Sequence, residues 1–281
     1  MKAGGVWPGQ EDRIRVDEVG IAYGSVGRCR LRATFRPIFQ REEVRLERVA
    51  SEGGTIASIA GETVPLTACQ AELPASGLVG IERLRLALQL RNMHLAGSGE
   101  GEVLLDLEPL ARISRAAFPE QLAAVMDAVG QADVDPVQVI CMLPACLVDG
   151  WQTIAATLRR CGAGVAMDGF GTAGWSEAMF REIRPDIVRA DADWFGQVCR
   201  FGATVRLFGT LVDRLQEERA RVLVACVDTP EGLAAALKAG VSLVQGGLLG
   251  GHETAGVAAG DEALDIADLC RAGGGTVRAL L

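Results

Sequence analysis

An α/β barrel is the fold class this sequence predicts, on three observations. Short apolar runs alternate with helix-like stretches about six times between residues 103 and 244, the pattern of strand–helix units that builds a parallel sheet. Runs such as VLVACV at 222–227 are apolar without alternation, as in strands buried on both faces. The chain has 281 residues, long for one ordinary domain and normal for a barrel. A closed barrel is favoured over an open sheet, and no G-x-G-x-x-G turn opens the first unit.

Residues 1–28 are Gly-rich and charged, with a short strand at 19–22, and read as an N-terminal extension. In 29–39, CRLRATFRPIF, apolar and polar residues partly alternate, as in a half-buried strand; Pro37 marks an edge or the end of its ladder. Residues 44–50, VRLERVA, alternate again and are suited to antiparallel pairing with that strand. Residues 51–79, rich in Gly, Thr, Ser and Ala, read as a loop with short structure. The spacing of Ile81, Leu84, Leu88 and His94 predicts a helix over 80–95. Strands follow at 103–107, 137–143, 164–167, 186–190, 221–227 and 241–244. Between them come helices at 119–129, 151–161, 175–183, 205–218 and 229–239. From 261 a helix-like DEALDIADLC precedes RAGGGTVRALL, which either caps the barrel or forms a partner-binding tail. The expected division is an extension at 1–28, a barrel at 29–255 and a C-terminal helix and tail at 256–281.

Composition narrows the function. Apolar residues make up 49% and aromatics only 5%, so aliphatic side chains must fill the core. A net charge of −8 argues against binding a nucleic acid polymer or an anionic membrane. There is neither an apolar leader nor a run near 18 apolar residues, so a cytoplasmic location is expected. The eight cysteines (29, 69, 141, 146, 161, 199, 226 and 270) lack paired spacing, and only two histidines occur, so a Cys/His zinc site is not expected. The cysteines read mostly as small core thiols in a reducing compartment.

The stretch GVAMDGFGTAGW at 164–175 carries the strongest functional signal. A buried strand ends in Asp168, and a glycine turn follows, which is how α/β proteins present a group to a ligand. A strand followed by a loop-capping acid would read the same way. With MDGFGT stand VRADADWF at 188–195, CVDTPEGLAAALKAGVSLVQGGLLG at 226–250 and FRPIF at 35–39. Together they resemble, in order and spacing over roughly 32–252, the EAL domain, the family of bacterial cyclic di-GMP phosphodiesterases.

The resemblance implies a TIM-like (β/α) barrel whose first strand pair is antiparallel. It also implies two Mg²⁺ or Mn²⁺ ions at the C-terminal mouth, activating water against a phosphodiester. Glu47 sits where the family's name-giving Glu binds metal, Asp106 replaces a metal-binding Asn, and Asp168 matches the first Asp of D-D-F-G. Asp191 matches the Asp of K-I-D, Asp228 the Glu of G-V-E-T, and Gln245 the Q-G glutamine. Other family residues are lost. A ligand Glu falls on Cys141, the second Asp on Gly169, another Glu on Ala225 and the K-I-D Lys on Arg189. A phosphate-contacting Arg falls on Ser51, and the Gln of Y-Q-P-I on Arg36.

These changes fall on the chemistry and spare the scaffold. The expectation is a catalytically inactive EAL-like signalling protein that regulates through protein partners, with no cofactor. Its mouth would offer Arg36, Arg189, Asp191, Asp228 and Gln245 to cyclic di-GMP without metal. The alternative is residual phosphodiesterase activity with Mg or Mn on Glu47, Asp106 and Asp168. Glu47 reads equally as a solvated face residue, and an Asp168–Arg189 ion pair is the simpler outcome for those two side chains. A homodimer through Trp175, Met179 and Phe180 is open, as is their use as core.

Overall fold

The computed structural model describes residues 13–71, 73–96, 101–131, 134–143, 150–256 and 263–271. An antiparallel ladder comes first: β1 (Ile14–Val16), β2 (Ala22–Val26), β3 (Cys29–Glu42), β4 (Arg45–Ile59) and β5 (Glu62–Val64). Helices α1 (Leu66–Gln70) and α2 (Ala75–Asn92) follow. The repeating part then runs β6 (Glu102–Asp106), α3 (Glu108–Ile113), α4 (Phe118–Gln131), β7 (Val139–Leu143), α5 (Trp151–Arg160), β8 (Gly164–Phe170) and α6 (Glu177–Ile183). It continues through β9 (Ile187–Ala190), α7 (Ala192–Val198), α8 (Gly202–Glu217), β10 (Arg221–Val224), α9 (Pro230–Lys238) and β11 (Leu243–Val244). The short strands β12 (Glu253–Thr254) and β13 (Leu264–Asp265) and helix α10 (Ile266–Arg271) complete the described chain.

Eight strands close the barrel, in the order β3-β11-β10-β9-β8-β7-β6-β4, with β4 pairing back onto β3. Neighbours from β4 through β6 to β11 run parallel, and β3 runs antiparallel to both its neighbours. The expected barrel and antiparallel opening pair are therefore present. Burial explains the closure. Ile38, Ala50, Leu104, Ile140, Met142, Ala166, Ile187, Leu223 and Leu243 fill the interior. The alternate side chains face outward into two larger apolar clusters beneath the helices. A strand apolar on both faces has no solvated side to show, and closure also removes unpaired edges.

The structure departs from the sequence reading in several places. Residues 51–59 continue β4, with Gly53 opposite Phe35 and Gly54 opposite Thr34. The ladder with β3 holds them extended despite their loop-like composition. Residues 22–26 pair antiparallel with β3. Helix α2 begins at Ala75, and His94 is exposed beyond its end.

Helix α2 is enclosed nearly all round, and most of its polar side chains are buried and bonded, although Gln89 Oε1 has no partner among the described residues. Glu82, Gln89 and Asn92 are inaccessible to solvent, and Arg85 nearly so. Arg85 bonds Glu82 at 2.8 Å and donates to the Asp106 carbonyl at 2.7 Å; Gln89 donates to the Gly54 carbonyl at 3.0 Å. Asn92 accepts from the Ala22 amide at 2.9 Å and donates to the Ala22 carbonyl at 2.8 Å. Bonds of this kind offset most of the cost of burying polar groups. Leu84 packs so close to Gly24 that a Cβ there would lie 2.9 Å from it.

Two of the cysteines are not thiols: Cys29 and Cys69 form a disulfide with a Cα–Cα distance of 5.9 Å, joining the start of β3 to α1. This corrects the thiol expectation for that pair, which a sequence separation of 40 concealed. Cys141, Cys161, Cys199, Cys226 and Cys270 are free, and Cys146 lies outside the described residues. At the C-terminal end, β13 pairs with β4, and Ile266 and Cys270 of α10 are buried in the outer core. The RAGGGTVRALL segment lies outside the described residues beyond Arg271. No helix among the described residues is long and apolar enough to cross a membrane.

Candidate functional site

The parallel strands end together at one mouth, above the apolar filling of the barrel. Glu52 comes from β4, Asp106 from the end of β6, Asp168 from β8 and Arg189 from β9. Arg189 grips Asp168 with two parallel bonds, Nε to Oδ1 at 2.9 Å and Nη2 to Oδ2 at 2.6 Å. Its Nη1 donates to Glu52 Oε1 at 2.6 Å. The side chains of Arg189, Glu52 and Asp168 are only 17%, 16% and 23% exposed, so this is a mostly desolvated triad. Of the two outcomes left open for Asp168 and Arg189, the ion pair is the one that forms.

The electrostatics follow from this packing. Burial raises Asp168, but the Arg189 hydrogen bonds and charge outweigh it and hold the carboxyl below the usual carboxylate value. Burial likewise works against the Arg189 cation, yet Asp168, Glu52 and the nearby Asp106 more than restore it. Asp106 is shifted the other way. Burial pushes it up, and the bond from the Glu108 amide, with the charges of Arg85 and Arg189, offsets this only in part.

Glu47 is exposed and lies five residues before Glu52, ahead of the point where Ala50 meets Glu102 at the start of β6. The structure does not bring it to the mouth. Glu52 is the acid that sequence reasoning missed. It lies two residues beyond the buried Ala50, and the period of two puts it on the same inward face.

Cys141 faces the outer core, and its neighbour Met142, opposite Asp106, faces the interior. A one-residue slip in a strand exchanges the two faces. Burial pushes the Cys141 thiol up to about 12, so it stays neutral. Gly169 has a φ of 80° in the bulge of β8, and its amide donates to Asp168 Oδ1 at 2.7 Å. Ala225 packs against the interior cluster.

The donor set does not fit a pair of divalent ions. A fixed guanidinium occupies the point on which Glu52 and Asp168 converge, and Met142, Gly169 and Ala225 supply no oxygen ligand from their side chains. Among the described residues no group of three or more His, Cys, Asp or Glu side chains could hold a metal.

The β3–β11 side of the mouth differs. Gln245 is wholly buried; its Nε2 donates to the Arg36 carbonyl at 3.3 Å, and its Oε1 has no partner among the described residues. Arg36 Nε is also buried without a partner among them, while its Nη2 is 3.9 Å from Asp228. Asp228 is 61% exposed and accepts from the Gly247 amide at 2.6 Å. Thr34 Oγ1 meets His252 Nδ1 at 3.4 Å, and burial, then the Arg36 charge, lowers that imidazole below its ordinary value. Asp191 is engaged as the N-cap of α7, accepting from the Trp194 amide at 2.8 Å.

Beside the mouth, Phe170 stacks edge-on against Trp175 and Trp194 at 4.9 and 5.3 Å. Gly171, with φ 96°, passes so close to Trp194 that a Cβ would sit 2.2 Å from its ring. Phe180 is buried in this core; Trp175 and Met179 are half-buried.

A barrel with an antiparallel first pair and a polar C-terminal mouth is the architecture of EAL proteins. The EAL domain family model matches residues 77–251, more than half of the chain, and the chain belongs to that family. Solved structures share the fold. With the PaMucR phosphodiesterase in complex with c-di-GMP the TM-score is 0.66 at 17% identity, covering 79% of this chain and 92% of that one. With the FimX EAL domain from Pseudomonas aeruginosa bound to c-di-GMP it is 0.62 at 18%, covering 79% and 90%. With Bacillus subtilis YkuI in complex with c-di-GMP and calcium it is 0.62 at 15%, covering 79% and 56%. No curated protein matches the chain by sequence.

Proposed function

We propose that this EAL-family chain is a non-catalytic signalling protein. It recognises cyclic di-GMP at its mouth without metal and regulates through a protein partner. The observation that carries the reading is the engagement of Glu52 and Asp168 by Arg189. A guanidinium is permanently charged, so it neutralises the carboxylates as a metal would, yet it bears no activated water and cannot serve as a base. Phosphodiester hydrolysis then lacks its nucleophile.

Recognition would fall to the open side of the mouth. Arg36 Nε and Gln245 Oε1 are a donor and an acceptor already removed from water and lacking partners, which favours a ligand that supplies both. Asp228 would position Arg36, and Asp191 would hold the adjoining helix start in place. The structures of PaMucR and FimX named above were solved with c-di-GMP, which makes it the first ligand to try.

Isothermal titration with cyclic di-GMP, in Mg²⁺ and then in EDTA, with chromatography of the mixture, tests the reading. Binding that survives EDTA with no linear product is expected. Linear product appearing only with metal would overturn the proposal in favour of a residual phosphodiesterase.

A further inference from the structure

At the opposite end of the barrel, where the strands begin, there is a second cavity of about 520 Å³. Its walls come from strand starts and helix ends: Glu102, Gly164 and Arg221 begin β6, β8 and β10, Arg159 closes α5, and Arg219 follows α8. We propose that this cavity is a binding site for a small phosphate ester of mononucleotide size, with Arg219 as its principal anion contact.

The three arginines are not equivalent. Arg221 is matched by Glu102 through bonds of 2.6 and 2.9 Å. Arg159 caps α6 by donating from Nη2 to the Ile183 and Arg184 carbonyls, which engages that nitrogen but leaves the charge uncancelled. Arg219 has no side-chain hydrogen bond or ion pair among the described residues. With Glu102 and Asp186 as the acids lining the cavity, the walls carry one net positive charge.

The backbone at Arg219 is the second, independent observation. Its φ is 69°, left-handed. Its amide donates to the Gln216 carbonyl at 2.8 Å, and the Ala220 amide donates to Leu215 at 3.0 Å, a helix ending in which glycine is the favoured residue. An arginine here carries a conformational cost relative to glycine, and among the described residues its side chain makes no hydrogen bond or ion pair that offsets it. Such a residue at a cavity wall is a candidate for ligand contact.

The remaining lining suits an ester rather than a bare ion. Val137, Ile140 and Ala163 are apolar, and Gly162 and Gly164 leave the wall flat. A Cβ on Gly164 would stand 3.0 Å from Ile140 Cγ1. Asp186 accepts the Val165 amide at 2.8 Å through one oxygen, leaving the other to accept from a ligand hydroxyl or amine. The volume lies in the range of ordinary ligand pockets.

Calorimetric titration of the full chain with AMP, and separately with inorganic pyrophosphate, tests the site, alongside Arg219→Gly and Arg36→Ala. Saturable binding of AMP to the wild type is expected, weakened about tenfold or more in Arg219→Gly, as for loss of a charge-assisted contact. Because glycine fits the left-handed backbone, that variant should melt at the same temperature or about 2 °C higher. Arg36→Ala separates the two ends of the barrel, because AMP binding that persists in it is not binding at the mouth. Pyrophosphate binding equal to that of AMP would limit the ligand to the anion and overturn the ester assignment. Absence of AMP binding, affinity unchanged in Arg219→Gly, or loss of binding in Arg36→Ala would each overturn the site. A lower melting temperature for Arg219→Gly would make Arg219 a structural residue and overturn its assignment as a ligand contact.

Discussion

The two halves of the mouth use the same kinds of side chain to opposite ends. On the β4–β8–β9 side, Glu52, Asp168 and Arg189 hold one another at 2.6–2.9 Å with every guanidinium nitrogen engaged. On the β3–β11 side, Arg36 and Asp228 stand 3.9 Å apart, and Arg36 Nε and Gln245 Oε1 have no partner among the described residues. A charge set that is internally complete has little left for a ligand. A set that leaves donors and acceptors unmet in a desolvated place still has binding capacity. The contrast puts an internally paired charge set on one half of the mouth and unmet hydrogen-bonding groups on the other.

The largest effect should come from breaking the complete half. Arg189→Ala leaves two mostly buried carboxylates without their shared cation, and a loss of about 3 kcal/mol in urea unfolding is expected. Mn²⁺ should raise the melting temperature of that variant and leave the wild type unchanged; equal shifts would mean that the guanidinium does not exclude the ion. Next in size is Arg36→Ala on the open half. It should weaken cyclic di-GMP by about tenfold while unfolding within about 0.5 kcal/mol of the wild type, since Arg36 makes no close pair. If stability falls instead of affinity, the comparison is inverted.

The acid limb sharpens the contrast. Because the folded pKa of Asp168 lies below its ordinary 3.8, its stabilisation is fully present above that value and fades as pH falls through the folded pKa. The stability gap between wild type and Asp168→Asn should therefore be widest near neutrality and narrow below pH 3.8, as read from urea midpoints at stepped pH. A gap that stays constant would show that the pair is not ionic. The smallest effect belongs to Glu47→Ala. An exposed side chain outside both halves should change neither urea midpoint nor affinity, within about 0.5 kcal/mol.

Much of this arrangement was legible beforehand. Strands such as VLVACV announce burial on both faces, and a strand ending in an acid before a glycine turn marked Asp168. Asp106 ended a strand in the same way, and Arg189 stood out through the resemblance of VRADADWF to the family's K-I-D motif. What could not be read depended on partners distant in sequence. Glu52 lies in SEGGT, which has a loop's composition and is a strand only because β3 pairs with it and α2 covers it through Gln89. Cys141 and Met142 are adjacent and both buried, so hydrophobicity gives no sign of which one faces inward. The Cys29–Cys69 bond joins segments that only the folded chain brings together.

The contact between Asn92 and Ala22 has a practical consequence for anyone moving this barrel into another protein. The Asn92 carboxamide takes both backbone groups of Ala22, so a helix side chain stands in for a neighbouring strand. Cutting the chain at Cys29 would strip Leu84 of its cover at Gly24 and leave that carboxamide facing an opening. A transplanted module should therefore start ahead of Ile14, because the first hairpin, peripheral as it looks in the sequence, acts as a strut for the helix beneath it.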